Sequence, residues 1–194
     1  ENGMWTVWKY NRDGELQSPF PLTENFSNVQ APQDIAYAVA ADSTGAFVVV
    51  GQRVMGASHS DWHVRKYNAD LGLIWQESLT GSAGAIDAAR DVALDSHGDV
   101  LVTGYVNNGS ATTPNYDWAI VKYRSAKGER VWTRTFESGP GRSEQAFSVA
   151  IDPRDDVLVG GICCDDQGRL QWRIERLNGV DGTLAEAQQS QTRL

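Results

Sequence analysis

Five carboxylates, Asp34, Asp61, Asp87, Asp117 and Glu144, are the residues of this chain best placed to do chemistry, because each falls at a matching point of a recurring pattern. Several such oxygens converging on one point would hold a hard cation or a polyol. Used singly, each would accept the backbone N–H groups of a loop, once per repeat. The repetition favours this second role, since one active site seldom needs three equivalent copies. His59, Asp61 and His63 form another candidate group, for in an extended segment all three point to one side. With three histidines in all and no cysteine in reach, a structural role is expected for them rather than a metal site. Cys163-Cys164-Asp165-Asp166 offers soft ligands, but thiolates on adjacent residues fit a tetrahedral site badly. The chain contains no C-x-x-C-H, no G-x-S-x-G and no G-x-x-x-x-G-K segment. Neither a metal nor a cofactor is expected.

The elements that must position these groups come from a repeat. Val39-Ala40-Ala41-Asp42-Ser43-Thr44-Gly45 returns as Val92-Ala93-Leu94-Asp95-Ser96-His97-Gly98 and again as Val149-Ala150-Ile151-Asp152-Pro153-Arg154-Asp155. The next apolar run closes on Gly51, Gly104 or Gly161, and a variable loop then leads to Trp62, Trp118 or Trp172, with Trp5 as an orphan copy. A period of about 55 residues marks a solenoid, propeller or array, in which each unit buries its apolar faces against its neighbours. The repeats run over about 4–33 (partial), 34–86, 87–143 and 144–194, read as one domain.

Within a unit the pattern is that of strands. In the second, residues 89–94 and 99–105 flank a turn in which Gly98 supplies a positive φ and Asp95 bonds its own backbone. A polar loop over 106–117, a strand over 118–123, a turn and a strand over 130–136 follow. The same parse predicts strands near 36–41, 46–54, 62–68 and 73–79, then 146–151, 156–162, 171–178 and 182–188, with 5–10 and 15–17 as the outer pair of an earlier unit. The fold class expected is therefore all-β: β-propeller blades of four antiparallel strands, three full blades plus half a blade, an incomplete ring. Glu1-Asn2-Gly3 is not an initiator context and Trp5 already lies inside a repeat, so a processing site or an internal cut is expected at the N-terminus, and the incomplete ring is expected to belong to a longer polypeptide.

This blade geometry sorts the side chains by face. Asp34, Asp87 and Glu144 begin innermost strands and Asp61 and Asp117 begin third strands, so all five crowd the rim from which the variable loops emerge. Asp42, Asp95 and Asp152 share the opposite face with Lys66, Lys122 and Arg176, an arrangement of blade staples. Trp5, Trp62, Trp118 and Trp172, with Trp75 and Trp132 at a second fixed offset, are expected to pack between blades. Trp8 belongs to neither series. Asn25-Phe26-Ser27 and Asn108-Gly109-Ser110 match the glycosylation triplet, which matters only in a eukaryotic secretory host.

Composition excludes some partners. The 17 Lys and Arg against 25 Asp and Glu give a net charge of −8 with no basic run, so a phosphate backbone would be repelled and no nucleic acid is expected. No apolar run approaches the length of a membrane span. Two neighbouring cysteines make no disulfide framework.

Asp87, Val92-Ala93, Asp95, Gly98, Gly104, Asp117-Trp118, Lys122-Tyr123 and Trp132 together resemble the bacterial seven-bladed β-propeller repeat family over about nine-tenths of the chain. The third unit departs from the pattern at Asp155, Gln171, Arg176 and Leu177. The resemblance implies a secreted or cell-surface location and no one shared reaction. The function expected is a non-catalytic binding or scaffolding module for a protein or glycan partner, with Asp34, Asp61, Asp87, Asp117 and Glu144 as ligand-rim candidates. One alternative is a propeller hydrolase acting on glycans through Asp61 and Asp117. Another is an assembly subunit whose N-terminal half blade is completed by an edge strand from another chain.

Overall fold

The computed structural model of the protein describes residues 4–24, 34–56, 59–81, 85–110, 112–137, 139, 143–165 and 167–185. The first glycosylation triplet and Asp166 lie outside them. The described residues are all-β, with thirteen antiparallel strands in four sheets and no helix, hence none able to cross a membrane. None of the sheets closes into a ring.

A two-stranded ribbon comes first, β1 (Trp5–Val7) with β2 (Leu22–Glu24). The first sheet holds β3 (Ile35–Ala41), β4 (Phe47–Gly56), β5 (His59–Tyr67) and β6 (Leu73–Leu79), each paired to the next. The second repeats this order with β7 (Ala88–Leu94), β8 (Val100–Asn107), β9 (Tyr116–Tyr123) and β10 (Arg130–Phe136). The third holds β11 (Gln145–Ile151), β12 (Val157–Cys164) and β13 (Leu170–Leu177).

Local chemistry explains the repeat. Asp42, Asp95 and Asp152 each turn the chain by accepting two backbone N–H bonds through Oδ1, as in Asp95 with His97 and Asp99, both at 2.9 Å. Gly45 and Gly98 take a positive φ in these turns. Asp155 holds the same place at φ 63, and its carboxylate accepts from both the backbone N–H and the hydroxyl of Ser96 in the second sheet. This contact offsets a conformation that an Asp tolerates better than most residues.

The first strand of each of the three larger sheets is bulged at one place, between Ala36 and Ala38, Ala89 and Asp91, or Ala146 and Ser148. The bulge presses the backbone onto the facing strand. A Cβ on Gly51, Gly104 or Gly161 would collide with the carbonyl oxygen of Ile35, Ala88 or Gln145. The bulged residues stack from sheet to sheet, with the Arg90 guanidinium 4.2 Å from the Tyr37 ring centroid and 5.7 Å from that of Phe147.

Three apolar cores lie where each element meets the next. Trp5 and Phe20 pack on Phe47, Val49 and Tyr67; Trp62 and Val64 pack against Val100, Val102 and Tyr123; Trp118 and Ile120 pack against Val149, Val157 and Val159. Fully burying such a side chain contributes roughly 1.5–3 kcal/mol. Polar contacts recur at the junctions, although Trp62 Nε1 is buried without a hydrogen-bond partner. Trp5 Nε1 donates to Gln52 O at 3.3 Å and Trp118 Nε1 to Ile162 O at 2.8 Å, in both cases the residue after the strand glycine. Trp75 Nε1 reaches Ser125 O at 2.9 Å and Trp132 Nε1 reaches Gly179 O at 3.3 Å.

On the face expected to carry staples, Lys122 sits 2.7 Å from Asp95 and donates to Gly179 O of the next unit at 2.9 Å. Lys66 donates to Ser125 Oγ at 2.6 Å, and Arg176 bridges Asp152 and Asp156.

Three expectations need correction. The ribbon is not formed by 5–10 and 15–17 alone: Tyr10 bridges Leu16, but β1 pairs with Leu22–Glu24, because the Ser18–Pro21 insertion carries the chain out and back. The third sheet has three strands among the described residues, not four. Its expected last strand is a single Leu177–Leu184 bridge, and 186–188 lie outside the described residues. Trp172 is 91% exposed, whereas Trp5, Trp62 and Trp118 are at 2% or less, since no described sheet follows the third.

Candidate functional site

Strand register places the five carboxylates at one end of the sheets. Ile35 opposes Gln52 and Gln52 opposes Trp62, so Asp34 and Asp61 both lie one step beyond this row. Ala88, Tyr105 and Trp118 form the same row in the second sheet, with Asp87 and Asp117 beyond it. Gln145, Ile162 and Trp172 form it in the third, with Glu144 beyond.

Two of the five are anchors of backbone. Asp34, 3% exposed, accepts from Val54 N–H at 2.8 Å. Asp87 is fully buried and uses both oxygens, taking Asn107 N–H and Gly81 N–H, each at 2.7 Å. Both residues reach twenty positions ahead to the end of the second strand of their own sheet. Burial pushes the Asp87 carboxyl upward, opposed by these two bonds and aided by the charge of Asp61.

The remaining three meet neighbours across sheet boundaries. Ser60 N–H donates to Ala85 O and Asp87 N–H to Ser60 O at 2.8 Å, which brings Asp61 toward Asp87. Asp61 pairs with His59 Nε2 at 3.1 Å. Glu144 N–H donates to Tyr116 O at 2.7 Å, so Glu144 lies near Asp117. Asp117 accepts from Asn108 Nδ2 at 2.6 Å and Asn115 Nδ2 at 3.3 Å. Burial raises its carboxyl most, the Asn108 bond opposes this, and the charges of Glu137 and Glu144 add to it. The row is thus divided into Asp34, the pair Asp61 and Asp87, and the pair Asp117 and Glu144.

The other sequence candidates separate. His63 does not join His59 and Asp61. It is buried edge-on against Trp5 at 5.6 Å and bonds Ser78 Oγ through Nδ1 at 3.0 Å. Burial, with the Arg65 and Arg53 charges, holds its imidazolium down at about 4. Cys163 and Cys164 are free thiols in β12; burial raises the first, and the second donates to Ser143 O. Among the described residues no group of three His, Cys, Asp or Glu side chains could hold a metal ion.

Periodicity did not reveal the aromatic surface at this same end. Tyr105 and Tyr116 meet edge to face at 4.9 Å, and Tyr37 lies under Arg90. Burial pushes the Tyr105 hydroxyl up to about 12, the nearby Tyr37 and Tyr116 hydroxyls add to this, and the Arg90 guanidinium opposes it. Beside them the β8–β9 loop folds as an extended hairpin. Asn108 N–H bonds Asn115 O, and Asn107 Oδ1 accepts from both Gly109 and Asn115. Ser110, Thr112 and Thr113 are exposed at its tip. The signal available in the sequence was the loop's departure from the repeat, since a residue that recurs serves the scaffold and one that does not is free for a ligand. No protein-family model matches this chain, and no curated protein matches it.

Proposed function

We propose that the chain is a segment of a seven-bladed β-propeller of the secreted or surface-displayed bacterial kind, acting as a non-catalytic module that binds a glycan or a protein at the loop-bearing rim. The observation that carries this reading is the contrast between two sets of residues on that rim. Asp34 and Asp87 repeat, Asp34 accepting a backbone amide through Oδ1 and Asp87 through both oxygens. The Tyr105 and Tyr116 rings and the 107–115 hairpin do not repeat and bring aromatic rings beside amide and hydroxyl groups. Aromatic faces with flanking polar groups suit sugar rings and protein side chains alike. Support for the propeller comes from the succession of antiparallel sheets, in which Trp5 and Trp118 each donate to the carbonyl that follows the strand glycine of the next sheet. A glycan microarray tests the proposal: binding should appear with the native chain and disappear in a Tyr105→Ala, Tyr116→Ala double variant. Binding unchanged by those substitutions would remove this rim as the site.

A second reading is favoured by one observation. Asp117 is held protonated more readily than an ordinary carboxyl and has Glu144 nearby, the arrangement of a general acid with a second carboxylate. Under this reading the native chain releases reducing sugar from a bound polysaccharide and the Asp117→Asn variant does not.

A further inference from the structure

At the base of the β8–β9 hairpin an asparagine precedes a glycine, Asn108-Gly109, and the asparagine side chain is tied to a carboxyl group. Asn108 is exposed, whereas Asp117 is 2% exposed. Asn108 Nδ2 donates to Asp117 Oδ2 at 2.6 Å, and Asn115 Nδ2 reaches Asp117 Oδ1 at 3.3 Å. The Gly109 N–H donates to Asn107 Oδ1 at 3.0 Å and so stands outside the strand ladder. An Asn–Gly step is chemically labile, because glycine has no β-carbon to screen its nitrogen from the side-chain carbonyl that precedes it.

We infer that Asn108 is a self-modification site, at which the Gly109 nitrogen displaces the side-chain amide and the Asp117 carboxyl serves the departing nitrogen. The Gly109 nitrogen loses its proton to solvent and bonds to Asn108 Cγ, closing a five-membered succinimide. The bond from Cγ to Nδ2 breaks, and the released nitrogen takes a proton from the protonated Asp117 carboxyl and leaves as ammonia. Solvent returns a proton to Asp117. Water then opens the succinimide at one of its two carbonyls, which leaves aspartate or isoaspartate at position 108. The sum is an amide and water giving a carboxylate and ammonium, with nothing oxidised or reduced. Asp117 suits the role of acid because burial raises its carboxyl and the charges of Glu137 and Glu144 add to this, against the Asn108 bond.

The chain has two other Asn–Gly steps, of which Asn2-Gly3 lies outside the described residues. Asn178-Gly179 is built differently. Gly179 is buried, its carbonyl is held by Lys122 Nζ at 2.9 Å and Trp132 Nε1 at 3.3 Å, and a Cβ there would strike the Asp155 carbonyl oxygen. Asn178 Oδ1 is engaged by the Val180 N–H at 2.8 Å, and among the described residues no carboxylate accepts from its Nδ2. The reaction at Asn108 also has a structural consequence. A donor facing Asp117 becomes a second carboxylate, and like charges in contact hold on to a proton. Isoaspartate further adds a methylene to the backbone between 108 and 109. That displaces the bonds closing the hairpin, Asn108 N–H to Asn115 O and Asn115 N–H to Asn107 Oδ1, both 2.9 Å. The hairpin is released by a reaction at its own base, whatever the rim binds.

Peptide mass mapping of the native chain during incubation in mildly alkaline buffer tests the inference. Conversion of amide to acid should appear at Asn108 well before Asn178, and Asp117→Asn, which keeps a polar partner but removes the acid, should slow it several-fold. In Asn108→Asp, which copies the product, the Asp117 midpoint followed by NMR should rise by about one pH unit. Asn108 keeping its amide while Asn178 converts overturns the inference, as does a rate unchanged in a folded Asp117→Asn protein. Should that variant fail to fold, the order of the two asparagines and the Asn108→Asp titration decide. An unshifted Asp117 midpoint in Asn108→Asp removes the structural consequence.

Discussion

Replacing His63 by Gln should flatten the acid side of the stability curve. In the fold this imidazole is 3% exposed, packed on Trp5 and flanked by the Arg65 and Arg53 charges, and its protonation is held down to about 4 from an ordinary 6.5. Below the ordinary value the unfolded chain binds a proton that the folded chain refuses, so stability falls as pH falls from about 6.5 to about 4 and then levels. A gap of about two and a half pH units, at ~1.4 kcal/mol per unit, amounts to about 3 kcal/mol in full, and about 2.5 kcal/mol of it is lost between about pH 7.5 and pH 4.5. Other groups act on both proteins alike. The lowered carboxyls of Asp42, Asp152, Asp155 and Asp165 support the fold above about 3.8 and lose that support as pH falls through their folded values. The raised carboxyls of Asp87 and Asp117 act with the opposite sign, easing the fold as they protonate. The difference between native and His63→Gln urea-unfolding curves, taken across this range, therefore isolates His63. A native protein whose pH slope survives the substitution, or an NMR titration placing the folded His63 midpoint above about 6, would refute the reasoning.

Urea unfolding checks three further expectations. Asp87→Ala leaves the Gly81 and Asn107 amides without their buried acceptor and should cost about 3 kcal/mol, whereas Asp61→Ala, which loses a pairing with His59, should cost about 1 kcal/mol. Equal costs would deny Asp87 its anchoring role. Gly104→Ala drives a Cβ into the Ala88 carbonyl and should cost about 3 kcal/mol, while Gly160→Ala, with open space at the same atom, should stay within about 0.5 kcal/mol. Lys122→Met strands the Asp95 carboxylate, whose side chain is 1% exposed, and should cost about 3–5 kcal/mol; Arg124→Met, at an exposed partner of Asp99, should cost under about 1 kcal/mol. If the two substitutions proved alike, Lys122 would be no staple.

Strands and turns were legible in the sequence because their causes are local. β10 spans Arg130–Phe136 as its alternation predicts, and Asp42, Asp95 and Asp152 form their turns with amides two and four residues away. The placement of Asp34, Asp61, Asp87, Asp117 and Glu144 at one end of the sheets followed from strand direction alone. What these carboxylates do once there was decided by tertiary structure. Asp87 and Asp117 share a residue type and one end of the second sheet, yet Asp87 is satisfied by amides six and twenty residues away and Asp117 by two asparagine side chains of the β8–β9 loop. The return of Leu22–Glu24 to β1 depends on where an insertion ends, which periodicity does not encode. Trp118 and Trp172 occupy the same position of the repeat and read identically, but one is buried and the other bare. A side chain's place in a pattern sets which way it points, by backbone geometry; whether anything lies there to meet it depends on the neighbouring sheet.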